Sequence, residues 1–225
     1  MTARPRSCLS GSRADFARRR LAGAVLLLPL ALLPRPARAG AQIEEALADS
    51  MRSALASQIA DSAPPVRRFA TAAERLEYER WLHDMSARLE PRLPEKRNRI
   101  DLLQTLDYEA TRAGLDRQLV LGLIQVESNF RKYAISAADA RGLMQVMPFW
   151  TRLIGDGNTR RLFETRTNLR YGCVILRHYL DEEKGDLYRA LGRYNGSVGE
   201  PGYPEAVRAA WQGAWAYPRA GGRGF

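Results

Sequence analysis

Glu127 is the side chain in this sequence best placed for acid–base chemistry. It lies near the end of the run Leu119-Val-Leu-Gly-Leu-Ile-Gln-Val-Glu127-Ser128-Asn129-Phe130, with apolar residues at 119, 120, 121, 123, 124, 126 and 130. Those positions go around most of a helix, which marks a buried helix rather than a surface one. A carboxylate in such a place loses hydration, and burial raises its pKa. A glutamic acid that keeps its proton near neutrality can serve as a general acid. The local sequence equally allows Glu127 to sit at the solvent end of the helix, paired with Arg131 or Lys132.

Two later segments carry further polar groups in unusual settings. In Arg141-Gly-Leu-Met-Gln-Val-Met-Pro148, Gly142 permits an unusual φ or a close backbone approach, and Pro148 ends or redirects the chain. Met144, Gln145 and Met147 offer soft apolar surface with one amide, although a methionine pair is more often plain core. In Leu191-Gly-Arg-Tyr194-Asn195-Gly196-Ser197 a phenol and an amide stand at a helix end entering a glycine turn. Taken alone, an Asn-Gly turn explains that segment as well. Chemistry that uses two carboxylates sets them about 5–10 Å apart. Asp139, Asp156 and Glu164 are candidates, but no helical register fixes any of them near Glu127.

The elements that must position these groups read as helices. Ile43, Leu47, Met51, Leu55 and Ile59 recur every four residues and predict a helix from Gln42 to about Ala60, ended by Pro64 and Pro65. Thr71 and Glu74 form a capping box that opens a second helix to Leu89. Pro91 and Pro94 mark a domain boundary. Ile100, Leu102, Leu103, Leu106 and Ala110 form a third amphipathic helix that ends near Gly114. Asp116 then caps a helix over Arg117–Phe130. No strand alternation of useful length occurs. The expected fold class is all-α.

Charge adds an address rather than a function. The chain of 225 residues has 35 Lys+Arg against 25 Asp+Glu, a formal +10. Residues 1–39 hold eight arginines and one aspartate, a net +7, which leaves +3 for the rest. The Arg-rich start, the 13-residue apolar run Leu21–Leu33 and the Ala37-x-Ala39 site are the parts of a cleavable signal peptide. Cleavage is expected after Ala39 and the mature protein in the periplasm. Arg18-Arg19-Arg20 would suit a twin-arginine route, but arginine runs are common in ordinary Sec signals. An uncleaved anchor is the alternative. A mature charge of +3 argues against a nucleic-acid binder. Cys8 precedes the apolar run and would leave with the signal, and Cys173 reads as a small core residue. His83 and His178 are isolated, so no metal and no cofactor are expected.

Taken together and in this order, four segments resemble the catalytic domain of soluble lytic transglycosylases, the SLT domain, over roughly 99–217. Glu127-Ser128-Asn129-Phe130 is similar to the family's E-S-x-F motif, and Gly142 to Pro148 to its G-L-M-Q-x-M-P motif. Asn168 and Gly172 match the N-x-x-x-G helix start, and Tyr194-Asn195 the A-Y-N-x-G motif. Arg193 departs from the small residue usual before the tyrosine, and Gly196-Ser197 from the usual x-Gly. The resemblance implies a lysozyme-like helical catalytic domain at 96–217, after the signal peptide (1–39) and an N-terminal helical extension (40–95), with a tail at 218–225. It implies a peptidoglycan lytic transglycosylase that cuts the β-1,4 bond between N-acetylmuramic acid and N-acetylglucosamine and leaves 1,6-anhydro ends. Glu127 would be the acid/base, and Tyr194 would orient it or polarise the intermediate. Ser128, Gly142, Met144, Gln145 and Asn195 would bind glycan. A muramidase on a related fold and a non-catalytic envelope glycan-binding protein are the alternatives. The helices at 40–95 could pack on the catalytic domain, lengthen the cleft or bind an envelope partner. The sequence leaves the oligomeric state open.

Overall fold

The computed structural model describes residues 42, 44–60 and 67–218. The signal-peptide reading and Cys8 lie outside the described residues. Among the described residues eight α-helices follow in order: α1 (Asp49–Ala60), α2 (Ala72–Leu89), α3 (Lys96–Arg112), α4 (Arg117–Ser128), α5 (Phe149–Ile154), α6 (Thr165–Glu182), α7 (Leu187–Asn195) and α8 (Gly202–Gln212). A 3-10 turn, Thr159–Phe163, precedes α6. Among the described residues only isolated bridges, Ile135 to Arg141 and Arg141 to Val146, are extended pairings. The all-α expectation holds.

Capping fixes where several helices start. The Thr71 hydroxyl accepts from Glu74 N at 3.1 Å, and the Glu74 carboxylate reaches back to Ala70 N at 2.9 Å. Asp116 accepts from Gln118 N at 2.7 Å and opens α4. The bonds from Glu74 N and Gln118 N satisfy backbone donors that the first helical turn leaves open.

Two helices are shorter than their sequence patterns predict. The first begins at Asp49 rather than Gln42, and residues 44–48 have no helical turn. Tertiary partners hold this strap. Gln42 Oε1 accepts from Trp150 Nε1 at 2.7 Å, Glu45 pairs with Arg193 at 3.0 Å, and Glu44 meets Arg152 at 3.7 Å. Helix propensity is a weak preference that such contacts override. Arg193, the departure beside Tyr194, therefore points to the strap and also to Glu183. The fourth helix stops at Ser128 rather than Phe130, because Asn129 and Phe130 both have left-handed φ, 49° and 63°. Arg92 Nε holds Asn129 Oδ1 at 2.8 Å, and the Phe130 ring packs edge-on to Trp215 at 5.2 Å.

The core is built around α4. Val120, Leu121, Leu123 and Ile124 are completely buried. Helix α8 lies closest to it, and Gly122 allows this: a Cβ there would sit 2.9 Å from Trp211 N. Trp81, Met85 and Leu89 of α2 and Leu55 of α1 join the same buried cluster. A buried ion pair, Arg170 to Glu109 at 3.1 Å, links α6 to α3. Arg170 also donates to Ile59 O at 3.2 Å and so caps the end of α1.

Candidate active site

Glu127 stands on the last turn of α4 and is 5% exposed. Its Oε1 accepts from the Tyr203 hydroxyl at 2.5 Å. Its Oε2 is buried with no hydrogen-bond partner among the described residues. Arg131 instead donates to Ser128 O at 3.0 Å, so the salt-bridged surface glutamate that the sequence also allowed does not occur. Burial pushes the Glu127 pKa up from 4.5 to about 8, and the Tyr203 bond pulls it part of the way back. The carboxyl thus holds its proton at neutral pH, with one oxygen fixed and the other unengaged.

Two phenols flank this carboxyl. Burial, reinforced by the negative charge of an ionised Glu127, raises Tyr194 and Tyr203 well above the ordinary tyrosine value. Both stay protonated and act as donors. Tyr194 donates to Met144 O at 2.8 Å, not to Glu127. The hydroxyl that orients the carboxyl belongs to Tyr203 at the start of α8, which the sequence reading missed. Its only signal was a tyrosine opening a helix eight residues after Asn195.

The loop from Arg141 to Pro148 is braced from three sides. Asn168 of α6 accepts from Met144 N at 2.8 Å, and its amide donates to Arg141 O and Leu162 O, both at 2.8 Å. Ser128 Oγ donates to Leu143 O at 2.7 Å and ties the loop to the residue after Glu127. Gln145 has a φ of 48°, and its Nε2 donates to Gly142 O at 2.9 Å and Ala134 O at 3.2 Å. Met144 is fully buried over Gly172, where a Cβ would lie 2.4 Å from its sulfur. The structure thus brings Ser128, Gly142, Met144, Gln145 and Tyr194 into one unit beside Glu127. All are buried, as is Asn195 at the end of α7. Several of their polar atoms satisfy loop backbone groups, as buried backbone requires.

The three candidate second carboxylates are engaged elsewhere. Asp139 pairs with Arg141 at 3.0 Å, Asp156 with Arg161 at 2.8 Å, and Glu164 with Arg161 at 3.4 Å. Burial raises the Glu127 pKa against the opposing pull of the Tyr203 bond, and no neighbouring carboxylate contributes. The arrangement can deliver and recover one proton at a desolvated oxygen.

The transglycosylase SLT domain family matches residues 104–204, a span that contains Glu127, the braced loop, Asn168, Tyr194 and Tyr203. Membrane-bound lytic murein transglycosylase C of Haemophilus influenzae (strain PittEE) is 34% identical over 105 residues, covering 40% of this chain and 29% of that protein. A transglycosylase of Enterobacteria phage PRD1 is 32% identical over 97 residues, 43% of this chain and 35% of that protein. The chain therefore spans only about a third of the length of these curated relatives. Among solved structures, an inactive mutant of lytic transglycosylase Slt from Pseudomonas aeruginosa aligns with a TM-score of 0.39 and 24% identity, over 63% of this chain and 25% of that one.

Proposed function

Residues 104–204 belong to the transglycosylase SLT family, and from that premise we propose that this chain is a peptidoglycan lytic transglycosylase with Glu127 as its single acid and base. The observation that carries the reading is the Glu127 carboxyl, buried and protonated, with Oε1 held by Tyr203 and Oε2 unengaged. Oε2 gives its proton to the glycosidic oxygen of the leaving N-acetylglucosamine. The neighbouring muramoyl N-acetyl group stabilises the positive charge at C1. The Glu127 carboxylate, steadied by the Tyr203 donor, then takes the proton of the muramoyl C6 hydroxyl. That oxygen attacks C1 and closes a 1,6-anhydro ring. The proton returns to Glu127, and no water is consumed.

The braced loop gives this chemistry its shape. Met144, clamped through both its backbone groups, and Gln145 form a fixed wall, while Ser128 and Tyr194 set its position. Such preorganisation lowers barriers by holding reacting groups in place. A muramidase would need a second carboxylate beside the substrate, and Asp139, Asp156 and Glu164 are each paired with arginines. A non-catalytic binder would have no use for a desolvated carboxyl. The same reading assigns a lysozyme-like form to the domain and export through the cleavable signal to the periplasm. The helices at 40–95 offer the surface for an envelope partner. Mass spectrometry of products from cell-wall sacculi tests the activity. Anhydro-muramoyl ends are expected, and reducing muramoyl ends would overturn it.

Tyr203→Phe tests the acid's setting. The lost bond favours the ionised carboxylate, so without it the Glu127 pKa rises further. Activity needs the protonated form and falls as pH climbs through about 8. The alkaline limb of the kcat/KM profile should therefore move to higher pH. The rate at the optimum should fall about ten- to a hundredfold, the effect of losing a bond to a charged group. A limb that moves toward neutrality would contradict the assignment.

A further inference from the structure

The lobe between α4 and the braced loop carries a feature that the catalytic reading does not use. Residues 131–135 line a groove of about 490 Å³. Tyr133 is 72% exposed and Ile135 61%, an unusual cost for two large apolar side chains on a short irregular segment. Tyr133 has ring neighbours within its own lobe. Its ring stands 6.0 Å from that of Phe163, in the 3-10 turn, and the Lys132 ammonium lies 5.4 Å from its centre. Arg141 in turn lies over the Phe163 ring at 5.9 Å. Rigid, supported, exposed aromatic rings are the groups that bind flat apolar faces at low entropic cost.

The platform is coupled to the catalytic wall. Ala134 O accepts both Gly142 N at 2.9 Å and the Gln145 side chain at 3.2 Å, so Tyr133 is one residue from a carbonyl fastened to that wall. Charge defines the ligand further. Arg131 and Lys132 form no ion pair with a carboxylate among the described residues, whereas Asp139, the acidic residue of this lobe, is held by Arg141. An apolar ring face beside two available cations suits a sugar that bears a carboxylate-containing substituent.

We propose that Tyr133, backed by Phe163, is a distal saccharide-stacking platform for the glycan strand, with Lys132 and Arg131 receiving carboxylates of its peptide stem. The inference rests on the peptidoglycan reading above. It makes Tyr133 a positioning residue that acts on substrate capture and leaves the bond-breaking step alone.

Kinetics on peptidoglycan with the full chain decide it. Tyr133→Ala should raise KM about five- to tenfold, the size of a lost aromatic contact, with kcat within about twofold. Tyr133→Phe should keep both constants, since the ring and not the hydroxyl does the stacking. Lys132→Gln should raise KM about threefold on stem-bearing strands and leave it unchanged on strands stripped of their peptides. An unchanged KM in Tyr133→Ala, or a fall in kcat at constant KM, would overturn the platform. Equal effects of Lys132→Gln on both strand types would overturn the stem contact. If the unaltered chain makes no anhydro ends, the catalytic reading itself fails; an active chain with an indifferent Tyr133 fails the platform alone.

Discussion

Glu127→Gln is expected to cut glycan release by about a thousandfold or more while making the protein more stable at neutral pH. The catalytic part follows from removing the carboxyl proposed to carry the proton, and a positioned general acid contributes about a hundred- to ten-thousandfold. The stability part follows from linkage. The unfolded chain ionises Glu127 near 4.5, whereas the folded chain keeps the proton until about 8. Below 4.5 both states are protonated and the burial costs nothing extra. As pH rises from 4.5 to about 8, ionisation favours the unfolded state and stability declines. At pH 7 the loss is about 1–3 kcal/mol, and glutamine, which cannot ionise, avoids it. Thermal unfolding should show a Tm gain of about 3–8 °C at pH 7 and almost none at pH 4. A variant that is less stable at both pH values would mean that the carboxyl is paired in the folded protein. An active variant would remove Glu127 from the chemistry.

Gly142→Ala should damage both stability and activity, for a reason visible in the loop. Gly142 has a φ of 77°, where a Cβ is strained, and that Cβ would lie 2.3 Å from the Asn168 amide nitrogen and 2.5 Å from Leu162 O. Asn168 cannot move aside without giving up its bonds to Met144 N, Arg141 O and Leu162 O. The expected loss is about 3 kcal/mol or more, from strain plus buried groups left unpaired. Activity should drop about a hundredfold as the Met144–Gln145 wall shifts. Gly157→Ala provides the control. Its φ is 74°, and an added Cβ there meets no atom within 4 Å, so it carries the backbone strain alone, about 1–2 kcal/mol. Urea midpoints measure the pair. Equal losses would show that Gly142 serves only a turn and that the Asn168 strut is dispensable.

The burial of Glu127 was legible because apolar residues encircle its helix, and local pattern is what sequence carries best. The Gly142 loop and the Asn168 strut were legible as motifs, although spacing alone says nothing of which atoms they join. Tyr203 was not legible. Its bond to Glu127 links α4 to α8 across 76 positions, and helix packing, not periodicity, brings the two together. The same holds for Ser128, Gln145 and Tyr194. The resemblance implied glycan contacts for Ser128 and Gln145 and a role at Glu127 or the intermediate for Tyr194, but an irregular buried loop has carbonyls to satisfy, and these donors lie nearest. The strap at 44–48 differs from its helical pattern because Arg193 and Arg152 hold side chains that a helix would turn elsewhere.

The central claim is that one protonated carboxyl cleaves the glycosidic bond and the substrate's own C6 hydroxyl closes it. Digestion of sacculi in water enriched in heavy oxygen tests this directly. Transglycosylation leaves every new muramoyl end as an anhydro ring without heavy oxygen. Heavy oxygen at new reducing muramoyl ends would show that water attacks C1, and would contradict the account.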